Sequence, residues 1–119
     1  MAPERRRYLR AHSRLTATIT HVDTGKTRRA LTRNVSEQGF CLITEGLLPS
    51  GTRLEVRLTF PDRDQPLVMQ AEVVWSQPVG PPGKSYETPT AENGLRIVQI
   101  DPKDRVLLAQ YAALYAPPE

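Results

Sequence analysis

Four arginines, Arg5, Arg6, Arg7 and Arg10, crowd one short stretch near the N-terminus, with Tyr8 and Leu9 between them. A guanidinium is planar and permanently charged. Its fork matches two oxygens of a phosphate or the O6/N7 edge of guanine, and its face stacks on a base. Arg6 and Arg10 stand four apart, a separation of about 13 Å in an extended chain at roughly 3.3 Å per residue; in a helical turn they share a face. Either way the two can grip one compact anion. A second group is Asn34-Val35-Ser36-Glu37-Gln38-Gly39. Asn34 and Ser36 are two apart, hence on one face of a strand, and each carries a short hydrogen-bonding group suited to a base edge, a ribose or a phosphate. Gly39 permits positive φ and close approach of a ligand to the backbone. Taken singly, the first group also reads as a solubilising basic tail and the second as an ordinary hairpin turn.

The residues between and after these groups predict short strands. Eleven prolines and seven glycines interrupt the 119 residues at short intervals, which suits strands and turns better than long helices. Arg14 to Val22 alternates, with Leu15, Ala17, Ile19 and His21 on one side. Asp23-Thr24-Gly25-Lys26 reads as a tight turn with positive φ at Gly25, and a return strand runs to about Val35. Further strands are expected over Phe40 to Thr44, Arg53 to Phe60 (Leu54, Val56, Leu58 and Phe60 inward), Leu67 to Ser76 and Gly94 to Ile100. Pro78 to Asn93, rich in proline and polar residues, reads as a long exposed loop. Asp101-Pro102 reads as a helix cap followed by proline at the first helical position. Val106, Leu107, Gln110, Tyr111, Leu114 and Tyr115 supply an apolar stripe, and Pro117-Pro118 ends the helix. The expectation is an all-β chain: a six-stranded antiparallel β-barrel with one C-terminal α-helix. It divides into a flexible arginine-rich segment (1–14), the barrel (15–100) with a long loop at 78–92, and the helix (101–116).

Composition narrows the function. Residues 1–33 carry a net +7 and the remaining residues −4, so an anionic partner is expected for the first third. Two histidines, one cysteine and the absence of nucleophile-elbow, phosphate-loop or dinucleotide-fold patterns argue against an enzyme and against a metal site. No run approaches the roughly 20 apolar residues that a bilayer requires. With no secretory leader and a single Cys41, a cytoplasmic location is expected.

Together the two groups resemble the PilZ domain, whose hallmarks are Arg-x-x-x-Arg just before the first strand and Asp/Asn-x-Ser-x-x-Gly one hairpin later. Here these are Arg6-Arg7-Tyr8-Leu9-Arg10 and Asn34-Val35-Ser36-Glu37-Gln38-Gly39. Similarity continues through Pro49-Ser50-Gly51-Thr52-Arg53-Leu54, Ala71-Glu72-Val73-Val74-Trp75 and Asn93-Gly94-Leu95-Arg96-Ile97 with Asp101-Pro102, covering about residues 4–115; the long loop is the main departure. The resemblance implies a receptor for cyclic di-GMP, with no other cofactor. It implies that Arg6 and Arg10 clamp phosphate and guanine, that Arg5 and Arg7 add charge, and that Asn34 and Ser36 bond guanine and phosphate from the barrel face. Gly39 would keep that face open, and Trp75 would stack on a base, core packing being the other reading of that residue.

The mechanism expected on this basis is ordering of the arginine segment on the barrel face by the ligand's negative charge. The signal would pass to a separate effector protein or through a homodimer. Two other readings keep the fold: a PilZ-like protein-interaction module without ligand, and a nucleic-acid-binding small barrel. The latter calls for aromatics interleaved with basic residues; of seven aromatics only Tyr8 lies in the arginine cluster, and the acidic balance after residue 33 opposes a phosphate-tracking groove.

Overall fold

The alternation in Arg53 to Phe60 is built as a strand whose Leu54, Val56 and Leu58 are fully buried, with charged side chains between them turned away from the core. The computed structural model describes residues 15–61, 63–79 and 90–115. These form six strands and a helix: β1 (Thr16–His21), β2 (Thr27–Val35), β3 (Gly39–Glu45), β4 (Arg53–Thr59), β5 (Leu67–Pro78), β6 (Thr90–Ile100) and α1 (Pro102–Tyr115). The strands close in the order β1-β2-β3-β6-β5-β4, with β4 returning to β1 and every pair antiparallel. Closure leaves no sheet edge to pair with another chain. Leu15, Ala17, Ile19, Val35, Phe40, Leu42, Val73 and Leu95 join the β4 side chains in one core. Between β1 and β2, Gly25 takes a φ of 75° while its N–H donates to the His21 carbonyl at 2.8 Å. That geometry suits glycine, as the Asp-Thr-Gly-Lys pattern predicts.

Two expectations need correction. The strands reach further than composition indicates: Gln77 pairs with Glu92 and Pro78 with Ala91, so β5 and β6 absorb most of the expected loop margin, and Asn93 is a fully buried residue. Proline is tolerated at this strand end because the next bond across to β6 comes from its neighbour, the Val79 N–H donating to the Thr90 carbonyl at 2.9 Å; residues 80–89 lie outside the described residues. The helix is also rotated by roughly one residue from the expected stripe. Leu108 and Ala112 are buried and Leu107 and Tyr111 pack against the core, whereas Val106 is 56% exposed. Its start is as expected: Asp101 Oδ1 accepts the Lys103 N–H at 2.9 Å. The ring of Tyr111 meets Phe60 edge-on, with centroids 4.7 Å apart, and fixes α1 at the barrel end where β4 and β6 finish. Among the described residues no helix is long and apolar enough to cross a membrane.

Because neighbouring strands run antiparallel, the same barrel end holds the start of β1, the turn between β2 and β3, and α1. Arg105 on α1 donates to the Glu37 carbonyl at 2.7 Å, so the helix is tied directly to that turn.

Candidate functional site

The turn between β2 and β3 is the Asn34–Gly39 motif, and its chemistry is local. The Ser36 N–H donates to the Gly39 carbonyl at 2.8 Å. The Ser36 hydroxyl donates to the same carbonyl at 3.1 Å and accepts the N–H groups of Gln38 and Gly39, each at 3.3 Å. Ser36 is buried and lies past the end of β2, so the expectation that Asn34 and Ser36 share a strand face does not hold; Ser36 belongs to the turn. Gly39 is not a positive-φ position. Its missing side chain serves a different need: a Cβ there would overlap the Leu95 carbonyl and come within 3.2 Å of Arg96 Cα, because β3 and β6 approach closely.

Two β-bulges determine what faces outward. Between β2 and β3 the register shifts between Thr32 and Asn34, leaving Arg33 as the extra residue. Between β5 and β6 it shifts between Val73 and Trp75, leaving Val74 as the extra one. Thr32 and Val73 are buried inward, so strict alternation would carry Asn34 and Trp75 inward as well; each bulge reverses that. The result is one lateral row turned away from the barrel interior, Asn34–Cys41–Gly94–Trp75, paired across four strands, in which Trp75 and part of Asn34 are accessible while Cys41 and Gly94 are covered. Trp75 is 43% exposed, which settles its placement against core packing, and its indole covers Gly94. Asn34 makes no side-chain hydrogen bond among the described residues and is half-buried.

Behind this row the barrel interior holds a polar cluster. Asn93 Oδ1 accepts from the Ser76 hydroxyl at 2.6 Å, while its Nδ2 donates to Thr44 Oγ1 at 2.8 Å and to the Leu42 carbonyl at 3.2 Å. With these bonds made, burying the amide carries no unsatisfied polar group, and β3, β5 and β6 are held in register directly beneath Gly94. On the outer face Arg33 is ion-paired with Glu92. A second lateral row, Gly39–Arg96–Glu72–Arg53, runs beside the first. In it Arg96 bonds Glu72 Oε1 at 2.6 and 2.8 Å, and Arg53 approaches Oε2 at 3.5 Å. The Arg96 hydrogen bond, outweighing partial burial and assisted by the charges of Arg96 and Arg53, holds the Glu72 carboxyl below the ordinary glutamate range. Neither Asn93 nor this charged trio is singled out by the sequence reading. The trio does carry a faint signal, alternating charge on strands, but pairing residues 24 apart needs the register.

Arg5, Arg6, Arg7 and Arg10 lie outside the described residues. Among the described residues no cluster of histidine, cysteine and carboxylate side chains could hold a metal ion.

Comparison with known proteins agrees with this architecture. The Bacillus subtilis inhibitor of motility (MotI/DgrA) superposes with a TM-score of 0.72 at 22% identity, over 94% of this chain and 51% of that one. The PilZ domain of YcgR from Escherichia coli, solved with c-di-GMP, gives 0.70 at 18% identity over 94% and 92%. The K. pneumonia MrkH–c-di-GMP complex gives 0.73 at 12% identity over 94% and 52%. The chain thus spans about half the length of the first and third of these, and at such identities the likeness is one of fold. No curated protein matches the sequence. The sequence itself matches the model of the PilZ domain over residues 4–114, almost end to end and across both motifs; the chain belongs to the PilZ domain family.

Proposed function

We propose that the chain is a cyclic di-GMP receptor, in which the ligand is held between the N-terminal arginines and the outer row Asn34–Trp75. One observation carries this reading. The Leu15 N–H donates to Thr32 Oγ1 at 2.8 Å and the Leu15 carbonyl accepts the Thr32 N–H at 2.9 Å. The arginine segment therefore departs from a point two residues along β2 from Asn34. Arg10, five residues before Leu15, has a reach of at most about 18 Å from there, ample to meet a ligand on this face.

The division of labour follows from the chemistry. Arg6 and Arg10 clamp phosphate and guanine, with Arg5 and Arg7 adding charge. The Asn34 amide offers a donor and an acceptor to a guanine edge. Ser36 shapes the turn, its hydroxyl accepting two N–H groups and donating to the Gly39 carbonyl, and it reaches a phosphate oxygen by exchanging that one donated bond. Trp75 stacks on a base across the face of Gly94. The bound dianion draws the arginine segment onto the barrel and creates a surface that a separate effector protein, or a second copy of the chain, reads. Support comes from family membership, from the two structures solved with c-di-GMP, and from Asn34 and Trp75 sharing one outer row.

The test is calorimetric titration of ligand-free protein with cyclic di-GMP, with GTP and a short single-stranded oligonucleotide as controls. Saturable heat with the cyclic dinucleotide alone is expected. Silence with all three would favour a protein-interaction module, and salt-sensitive heat with the oligonucleotide alone would favour a nucleic-acid binder.

A further inference from the structure

Arg96 belongs to neither ligand motif, yet it lies beside the Asn34–Gly39 turn and close to Trp75. It pairs in register with Gly39, the last residue of the motif turn, on one side and with Glu72 on the other. Along β6 it is two residues from Gly94, which the indole of Trp75 covers. The backbone positions of Arg96 and Gly94 are consequently roughly 7 Å apart on the same face of β6 at the usual rise per residue.

The side chain is oriented by its contacts. Nε donates to Glu72 Oε1 at 2.8 Å and Nη2 reaches the same oxygen at 2.6 Å, while Oε2 faces Arg53. A guanidinium has five N–H donors. Two serve Glu72, and of the three left, one on Nη1 and one on Nη2 form a complete two-donor edge while the second on Nη1 points back along the side chain. Among the described residues nothing accepts from that edge, and the side chain is 59% exposed. A surface arginine with a free fork and a fixed direction is pre-organised for a planar, electron-rich partner.

We propose that Arg96 is a further cation of the ligand site, presenting its free Nη edge to a phosphate oxygen or the guanine O6/N7 edge of the bound cyclic dinucleotide, with Glu72 as its positioning residue. The proposal rests on the receptor reading above. The ordinary alternative is a cross-strand ion pair that only braces the sheet.

The experiment compares cyclic di-GMP affinity and melting temperature for the full chain, Arg96→Ala, Arg96→Lys and Arg57→Ala, an exposed arginine of β4 that carries the same charge away from the site. Arg96→Ala should weaken binding about tenfold to a hundredfold, as expected for a hydrogen bond to a charged group, with Arg96→Lys intermediate and Arg57→Ala unchanged. Glu72→Gln then completes a cycle: if Glu72 positions Arg96, the loss caused by Arg96→Ala shrinks in the Glu72→Gln background. Wild-type affinity in Arg96→Ala, or a loss no larger than that of Arg57→Ala, overturns the inference and leaves the receptor reading standing. Fully additive losses remove Glu72 from its role. A wild-type chain that does not bind the dinucleotide overturns both.

Discussion

The indole of Trp75 occupies the space where a side chain on Gly94 would stand. A Cβ built on Gly94 would overlap Nε1, Cε2 and Cδ1 of Trp75 at once. The glycine therefore acts as a seat that holds the ring against the sheet, half exposed, facing the row that ends in Asn34. Gly94→Ala should push the indole off this seat. Because Trp75 is the only tryptophan, its fluorescence reports the change without ambiguity: a shift in emission and weaker quenching by cyclic di-GMP are expected, with the affinity reduced. Unchanged emission and affinity in Gly94→Ala would take Trp75 out of the site.

Thr32 joins the start of β1 to β2 from a fully buried position. Thr32→Val preserves shape but deprives the Leu15 N–H of its acceptor. An unsatisfied buried donor costs about 1–3 kcal/mol, so the melting temperature should fall. Binding should weaken too, since the departure point of the arginine segment is loosened. A melting temperature equal to wild type would mean that the Leu15 N–H finds water and that the tether is not a constraint.

Gly39 offers a contrast between two causes of lost binding. Its Cβ would meet the Leu95 carbonyl, which is backbone and cannot step aside. Overpacking of this kind costs about 1–3 kcal/mol. Gly39→Ala should lower stability and ligand affinity together by separating β3 from β6, whereas an open, ligand-contacting glycine would lose affinity with the melting temperature intact. Paired melting and titration curves decide between them.

The barrel is legible where a strand follows period 2 without interruption, as β4 does: Leu54, Val56, Leu58 and Phe60 are all buried as the pattern predicts. The helix cap at Asp101 was legible because capping is local. The site was legible only as a list of residues. What turns Asn34 and Trp75 outward is a bulge in each strand, and a single break in alternation does not by itself tell a bulge from a strand's end. Asn93 looks like loop in the sequence for a similar reason. Its polar surroundings look solvated until Leu42, 51 residues away, supplies the carbonyl that satisfies it. The role of Gly39 likewise depends on a neighbour from β6 that the sequence does not place.

Glu72 links the charged row to pH. Its carboxyl is held below the ordinary glutamate range mainly by the Arg96 hydrogen bond. A depressed folded value means that the unfolded chain takes up the proton first. The stabilisation is thus complete above the unfolded glutamate value and fades as pH falls through the folded one. Melting temperature should decline with acidification across that window, and Glu72→Gln should flatten part of the decline by lowering the neutral-pH melting temperature by the same small amount, as surface pairs contribute little. Identical acid limbs in the two proteins would assign the decline to other carboxylates.

The arginine motif makes the sharpest prediction about binding. Removing the guanidinium of Arg6 or Arg10 takes away a charged, strongly hydrated group rather than an apolar one, so the expected cost falls on the ligand and not on hydrophobic burial. Truncating one partner of a charge-assisted contact to an anion costs about 2–5 kcal/mol, which is at least about thirtyfold in affinity. Arg6→Ala and Arg10→Ala should each lose that much affinity for cyclic di-GMP with melting temperatures within error of wild type. The wild-type affinity should also fall with added salt more steeply than that of either variant, since each has one fewer screened charge at the ligand. Wild-type affinity in both variants would remove the arginines from the site and leave the outer row of the barrel to bind on its own.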